Sequence, residues 1–103
     1  MKYASTSEEL LPLVTPGEIL ETEFMQPYSL SAYKVAKAIH TTPIAISQII
    51  KGTRAITPEM ALRLGSCFGT TAKFWLNLQS DYSLRKIERE QKPVLKVERL
   101  VAA

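Results

Sequence analysis

The chain has 103 residues, a net charge of +3, and 46% hydrophobic and 22% charged residues, which is typical of one globular domain. A single cysteine, Cys67, excludes an internal disulfide framework, and we expect it to be a small buried side chain in a reduced compartment. No apolar run reaches membrane-spanning length, and the N-terminus does not match a signal peptide, so a cytoplasmic protein without membrane association is expected.

Local capping signals predict the first two helices. Thr15, Pro16 and Glu18 match an N-cap, a first-turn proline and a capping box, and Pro27 is expected to end this helix. Ser31 is the predicted N-cap of a second helix, AYKVAKAIH. The second helix must end in a turn before Pro43, because a residue that precedes proline disfavours helix.

The stretch HTTPIAISQIIKG is rich in isoleucine, and either a strand or a helix could explain that. In a helix opened by Thr42 and Pro43, one side carries Ile46, Ile49 and Ile50, and the opposite side carries Ile44, Ser47, Gln48 and Lys51. A strand would place the polar Gln48 among isoleucines on one face. The pattern therefore favours a third helix with one apolar and one open side.

Two further helices complete the predicted domain. Thr57 and Pro58 open the fourth helix, whose apolar side is expected to comprise Met60, Leu62, Leu64 and Phe68, and Gly69 closes it. The fifth begins at Thr70 or Thr71 and reaches about Arg89. Residues 94–103 fit strand and helix equally well. The predicted organisation is an N-terminal arm (1–15), a helical domain (16–89) and a C-terminal tail (90–103).

Charge is distributed unevenly along the chain. Residues 31–56 contain Lys34, Lys37, Lys51 and Arg54 but no acid, whereas residues 1–30 contain five glutamates and one lysine. Such an acid-free block suggests a face that meets a polyanion, although a merely solvated face is the alternative. No nucleophile–base pair, glycine-rich phosphate loop or metal-ligand cluster is recognisable, so neither an enzyme nor a cofactor or metal site is expected.

The second and third helices, joined by a tight turn, form a candidate helix-turn-helix within residues 31–51. In that motif the first helix braces on the DNA backbone, and the outer side of the second helix enters the major groove. Gln48 could then pair with adenine, and Ile44 could contact a thymine methyl group or pack within the protein. The predicted DNA-binding residues are Tyr33, Lys34, Thr42, Pro43, Ile44, Ala45, Ser47, Gln48, Lys51, Thr53 and Arg54.

The run LSAYKVAKAIHTTPIAISQIIKG resembles the helix-turn-helix of lambda-repressor-like (Cro/C1-type) regulators. With PGEIL before it and ITPEMALRLGSCFGTTAKFWLNLQSDYSLR after it, the chain resembles HigA antitoxins, also called VapI, over residues 16–89. The resemblance implies an all-α, five-helix lambda-repressor-like DNA-binding bundle with flexible N- and C-terminal arms. It also implies a homodimer on operator DNA at its own promoter, and a HigB-type RNase toxin as protein partner.

Two departures from the family pattern stand at the turn and at the start of the third helix. His40 occupies a turn position where glycine is common, so a left-handed backbone would be strained there. Pro43, Ile44 and Ala45 replace the long polar residues often found at these positions.

Two more assignments remain open on the sequence alone. Trp75 is expected in the core or, with Phe74 and Leu78, in a dimer interface. The alternative functions are a helix-turn-helix repressor without a toxin and a protein-interaction module that has lost DNA binding.

Overall fold

The computed structural model describes residues 13–91 and 97–102, and the regular secondary structure in these residues is helical, with no strand. The α-helices are α1 (Pro16–Ile19), α2 (Ala32–Ala38), α3 (Pro43–Lys51), α4 (Pro58–Phe68) and α5 (Ala72–Gln91). After α1 the chain continues as a π-helix (Leu20–Met25) and a 3₁₀ turn (Gln26–Tyr28). The predicted all-helical, five-helix architecture is confirmed.

The first helix begins as predicted but ends differently. Glu18 N–H donates to Thr15 Oγ1 over 3.1 Å, and Thr15 N–H donates to Glu18 Oε1 over 2.9 Å, which completes the capping box. Pro27 does not end the helical winding, which continues to Tyr28 because proline is tolerated in the first turn of the 3₁₀ segment. The chain reverses at Ser29, whose φ of 55° is left-handed.

The caps of the next three helices follow the sequence. The hydroxyl groups of Ser31, Thr42 and Thr57 accept hydrogen bonds from backbone N–H groups in the first turns of α2, α3 and α4. Gly52 and Gly69 end α3 and α4 with φ values of 82° and 73°, which glycine adopts without steric cost. The predicted starts of α2, α3 and α4 are therefore confirmed.

Two predictions about α4 are wrong. Leu62 is 63% exposed, and Cys67 is exposed rather than buried, although desolvation by its neighbours raises the pKa of the thiol. The buried side of α4 is built from Ala61, Leu64 and Gly65 at positions i, i+3 and i+4. Leu62 follows Ala61 by one residue and Cys67 follows Gly65 by two, so both side chains lie outside the buried side of the helix.

An aromatic cluster ties α5 to the rest of the domain. The ring centroid of Trp75 lies 5.1 Å from that of Phe24 and 5.0 Å from that of Phe74. The indole Nε1 donates to Thr70 Oγ1 over 2.8 Å, which satisfies its polar group. Trp75 is 0% exposed, so the first of its two predicted placements, the core, is the one observed.

The start of α1 packs against the back of α3 at Gly17. A Cβ atom added at Gly17 would lie 1.8 Å from the carbonyl oxygen of Ile49 and 2.7 Å from the Cα of Ile50. These are backbone atoms, so only glycine permits this approach. The contact fixes the position of α3 from behind and leaves its opposite side open.

The predicted arms fall largely outside the described residues, which exclude 1–12, 92–96 and 103. Thr15, the last residue assigned to the N-terminal arm, caps α1 as predicted, and α5 ends at Gln91. Residues 97–102 have no regular secondary structure, so neither a strand nor a helix forms there. Within the described ranges, no helix combines the length and apolar character needed to span a membrane.

Candidate nucleic-acid interface

The turn between α2 and α3 is held by backbone hydrogen bonds and by a left-handed residue. Thr41 N–H donates to the carbonyl of Ala36 over 2.9 Å, which closes the end of α2. His40 has a φ of 61°, so the turn needs the left-handed conformation at a residue that carries a side chain. The left-handed conformation anticipated from the sequence at this position is therefore present, and it sets the direction in which the chain enters α3.

Arg63 on α4 supports this turn, and the sequence analysis did not identify it. Its Nη1 donates to the carbonyl oxygens of Ile39 over 2.6 Å and His40 over 3.1 Å, and its Nη2 pairs with Glu59 over 2.8 Å. The Glu59–Arg63 pair is readable from the i, i+4 spacing. The contacts with the turn span more than 20 residues of sequence and have no local signal.

The buried and open sides of α3 are those predicted from the sequence, but one predicted DNA contact lies on the buried side. Ile46 and Ile49 are buried and Ile50 is half-buried, whereas Ile44 is 68% exposed. Ala45, included among the predicted DNA contacts, is only 3% exposed. Its position four residues before Ile49 places its methyl group on the core side, so its side chain cannot contact DNA and that prediction is wrong.

The backbone carbonyl of Gln48 joins α3 to the loop that follows. It accepts hydrogen bonds from Thr53 N–H over 2.9 Å, Arg54 N–H over 3.2 Å and Thr53 Oγ1 over 3.2 Å. At the far end of the loop, Ile56 N–H donates to the side-chain oxygen of Gln79 on α5 over 2.8 Å. The loop is thus attached at both ends, and Thr53 and Arg54 have defined positions beside the outer side of α3.

The side chains of Gln48 and Arg54 also meet. Arg54 Nε donates to Gln48 Oε1 over 2.9 Å, in a hydrogen bond that is exposed to solvent. This contact brings together two residues that were predicted independently as a base contact and a phosphate contact.

The cations of this region lack acidic partners. Within residues 13–91 and 97–102, Lys34, Lys37, Lys51 and Arg54 form no ion pair, whereas Arg63 and Arg85 pair with Glu59 and Asp81. All four unpaired cations are exposed. Exposed cations free of acidic partners can attract and neutralise phosphates.

The start of α2 lies beside the outer side of α3. A cavity of about 330 Å³ is lined by Ser31 and Ala32 at the start of α2, by Ser47 and Lys51 of α3, and by residues of the preceding π-helix that include Glu21. Tyr33 and Lys34, which follow these residues on α2, are exposed. The start of α2 and the outer side of α3 therefore border the same cavity, which agrees with the helix-turn-helix arrangement.

The remaining predicted residues have mixed placements. Thr42 and Pro43 are exposed at the start of α3, where Thr42 Oγ1 accepts from Ala45 N–H over 3.1 Å. Phe74 and Leu78 keep partial exposure on α5, and their predicted role in a dimer stays a prediction. Trp75 has no exposed surface left to contribute to such an interface. The searched part of the chain, residues 13–91 and 97–102, contains no cluster of three potential metal ligands.

Comparison with known proteins agrees with this geometry. A helix-turn-helix family model (HTH_3) matches residues 23–75. The virulence-associated protein I of Dichelobacter nodosus is 42% identical over 84 residues, which cover 82% of this chain and 78% of that protein.

Solved structures show the same similarity. A Pseudomonas aeruginosa antitoxin HigA, solved with the higBA promoter, superposes with a TM-score of 0.79 at 36% identity, covering 87% of this chain and 100% of that one. The antitoxin GraA in complex with its operator superposes with a TM-score of 0.79 at 34% identity over 99% of both chains.

The matched family consists of DNA-binding regulators rather than enzymes, in agreement with the sequence-based expectation. The match includes the turn, α3 and the loop whose geometry is described above. The chain belongs to the helix-turn-helix family and, within it, to the group of HigA- and VapI-type proteins.

Proposed function

We propose that the protein is a transcriptional regulator and antitoxin of a HigBA-type system, which binds operator DNA at its own promoter as a homodimer in the cytoplasm. The observation that carries the proposal is the outer side of α3. It presents Ile44, Gln48 and Lys51 at helical spacing, inside a segment without acids.

In the proposed complex α3 lies in the major groove. Gln48 and Ser47 reach base edges, and Ile44 contacts a thymine methyl group, since apolar contact with that methyl contributes to sequence discrimination. The groups proposed to bind phosphates surround them on α2, at the start of α3 and in the following loop: Tyr33, Lys34, Thr42, Lys51, Thr53 and Arg54. Pro43 has no donor, and we propose that it only packs against the DNA backbone at the start of α3. Phosphate contacts position the protein, and base contacts select the sequence.

The relatives support DNA as the partner. The Pseudomonas HigA and GraA structures each contain promoter or operator DNA, and both superpose on this chain over most of its length. A helix-turn-helix dimer binds half-sites about one helical turn, roughly 34 Å, apart. We therefore propose a palindromic operator, with Phe74 and Leu78 in the dimer contact.

A mobility-shift titration tests DNA binding, with DNA from upstream of the protein's own gene and a shuffled duplex as competitor. The wild-type chain should bind the upstream DNA selectively. Gln48→Ala should weaken that binding by about 1–3 kcal/mol and relax the preference at one base pair. Ser66→Ala, on the exposed side of α4 and outside the proposed DNA and dimer contacts, is the control and should have no effect. Equal loss of affinity for both duplexes would show that Gln48 does not read sequence.

The toxin partner and the dimer need separate tests. Co-expression with a small basic protein encoded beside this gene should restore growth that the basic protein alone inhibits. Light scattering of the isolated chain should give twice the mass of one chain.

Two alternative functions give different results in these tests. Selective DNA binding without rescue would favour a repressor with no toxin. Rescue without DNA binding would favour an interaction module, for which the exposed Ile44 offers an apolar contact.

A further inference from the structure

The hydrogen bond between Arg54 and Gln48 has a consequence for how the base is read. Arg54 Nε carries a hydrogen and can only donate, so the atom of the Gln48 amide that faces it must be the oxygen, Oε1. This assignment follows from chemistry and does not depend on distinguishing oxygen from nitrogen in the side chain. The contact therefore fixes which end of the amide points toward the loop.

The other end of the amide points away from Arg54. Oε1 and Nε2 diverge from the same carbon, so the NH₂ group is directed away from the loop when the oxygen is held by Arg54. Among the described residues, none forms a hydrogen bond with Nε2 of Gln48. The free group on this side of α3 is thus a donor of two hydrogen bonds.

We infer that Arg54 is a positioning residue for base recognition, which presets Gln48 to donate hydrogen bonds to a base edge rather than to accept them. This inference rests on the proposed DNA-binding function. A preset donor selects the acceptors of the major groove, which are N7 and O6 of guanine, N7 of adenine and O4 of thymine. A freely rotating glutamine would present either its oxygen or its NH₂ group to the base and would discriminate less between base pairs.

The loop geometry supports a positioning role. The backbone N–H of Arg54 and the N–H of Thr53 both donate to the carbonyl of Gln48, so the loop is bonded to the same residue through main chain and side chain. The guanidinium can also meet a phosphate through its other nitrogens, since Arg54 is exposed and has five donors. A purely electrostatic role is therefore the competing explanation.

Arg54→Lys separates these two roles. Lysine keeps the positive charge but places a methylene group, Cε, where arginine has Nε, so the bond to Gln48 Oε1 is lost. A role through charge alone predicts unchanged base preference in this variant. The control, Arg85→Lys, makes the same chemical change at a residue that pairs with Asp81 on α5.

Selection from a library of random duplexes, followed by sequencing, measures the preference at each base pair. Gln48→Ala identifies the position read by Gln48. At that position Arg54→Lys should lower the preference at least about fivefold, the lower end of discrimination by a good base contact. Adding Arg54→Lys to Gln48→Ala should lower it no further, because the effect acts through the glutamine. Circular dichroism verifies that each variant is folded.

The outcomes are separable. Unchanged preference in Arg54→Lys, or an equal loss in the presence and absence of Gln48, would overturn the inference and leave the proposed function standing. Failure of the wild-type protein to enrich any sequence would overturn the proposed function, and the inference with it.

Discussion

Gly17→Ala should destabilise the protein through one backbone contact between α1 and α3. The added Cβ would lie 1.8 Å from the carbonyl oxygen of Ile49, whereas 3.4 Å is an ordinary contact, so the helices must separate by roughly 1.6 Å. The carbonyl cannot simply turn away, because it accepts the hydrogen bond from Gly52 N–H that closes α3.

The magnitude follows from two opposing effects. Overpacking of this kind costs about 1–3 kcal/mol and occasionally more, while alanine favours a helix over glycine by up to about 1 kcal/mol. Because the added Cβ would clash with backbone atoms of Ile49 and Ile50, which cannot change rotamer, we expect the upper end of this cost and a net loss of about 2 kcal/mol. For a domain of this size, the melting temperature should fall by about 8–16 °C.

Thermal and urea unfolding followed by circular dichroism measure this loss. Gly69→Ala is the matched control, since a Cβ there meets no atom within 4 Å and only the left-handed backbone, at a φ of 73°, is strained. That strain alone should cost about 1–2 kcal/mol. A Gly17→Ala variant as stable as the wild type would refute the close packing of α1 on α3.

Three further predictions concern the turn and the DNA contacts. His40→Gly should raise the free energy of unfolding by up to about 1 kcal/mol, because glycine adopts a φ of 61° without steric cost but loses part of that gain to the entropy of the unfolded chain. A lower melting temperature would contradict this. Ser29→Gly, at a φ of 55°, should behave in the same way. Arg63→Met should lower the free energy of unfolding in urea by about 1–2 kcal/mol, since the turn carbonyls lose a charged donor. Unchanged stability would show that Arg63 does not stabilise the turn. Lys51→Ala should reduce the slope of log affinity against log salt by about one unit, and an identical slope would exclude Lys51 from the phosphate contacts.

Local signals predicted the helix starts well. Thr15, Ser31, Thr42 and Thr57 all cap helices as expected, because a capping hydroxyl acts on N–H groups two or three residues away. The separation of Ile46 and Ile49 from Ile44 likewise follows from helical periodicity alone.

Features set by tertiary packing were not predictable in the same way. The bonds from Arg63 to the turn depend on how α4 packs against α2, and no short-range pattern encodes them. Leu62 is apolar yet exposed, so composition alone misassigned the buried side of its helix. The Arg54–Gln48 bond depends on the path of the loop after Gly52, whose left-handed conformation directs the chain back onto α3.

Amide NMR of the labelled protein, titrated with DNA from upstream of its gene, would show directly which surface binds DNA. The largest chemical-shift changes should fall on residues 42–54, with smaller changes near Tyr33 and Lys34 on α2. The exposed side of α4 around Leu62 and Cys67 should be unaffected. Specific binding with changes centred on α4 or α5, and none on the outer side of α3, would contradict the account.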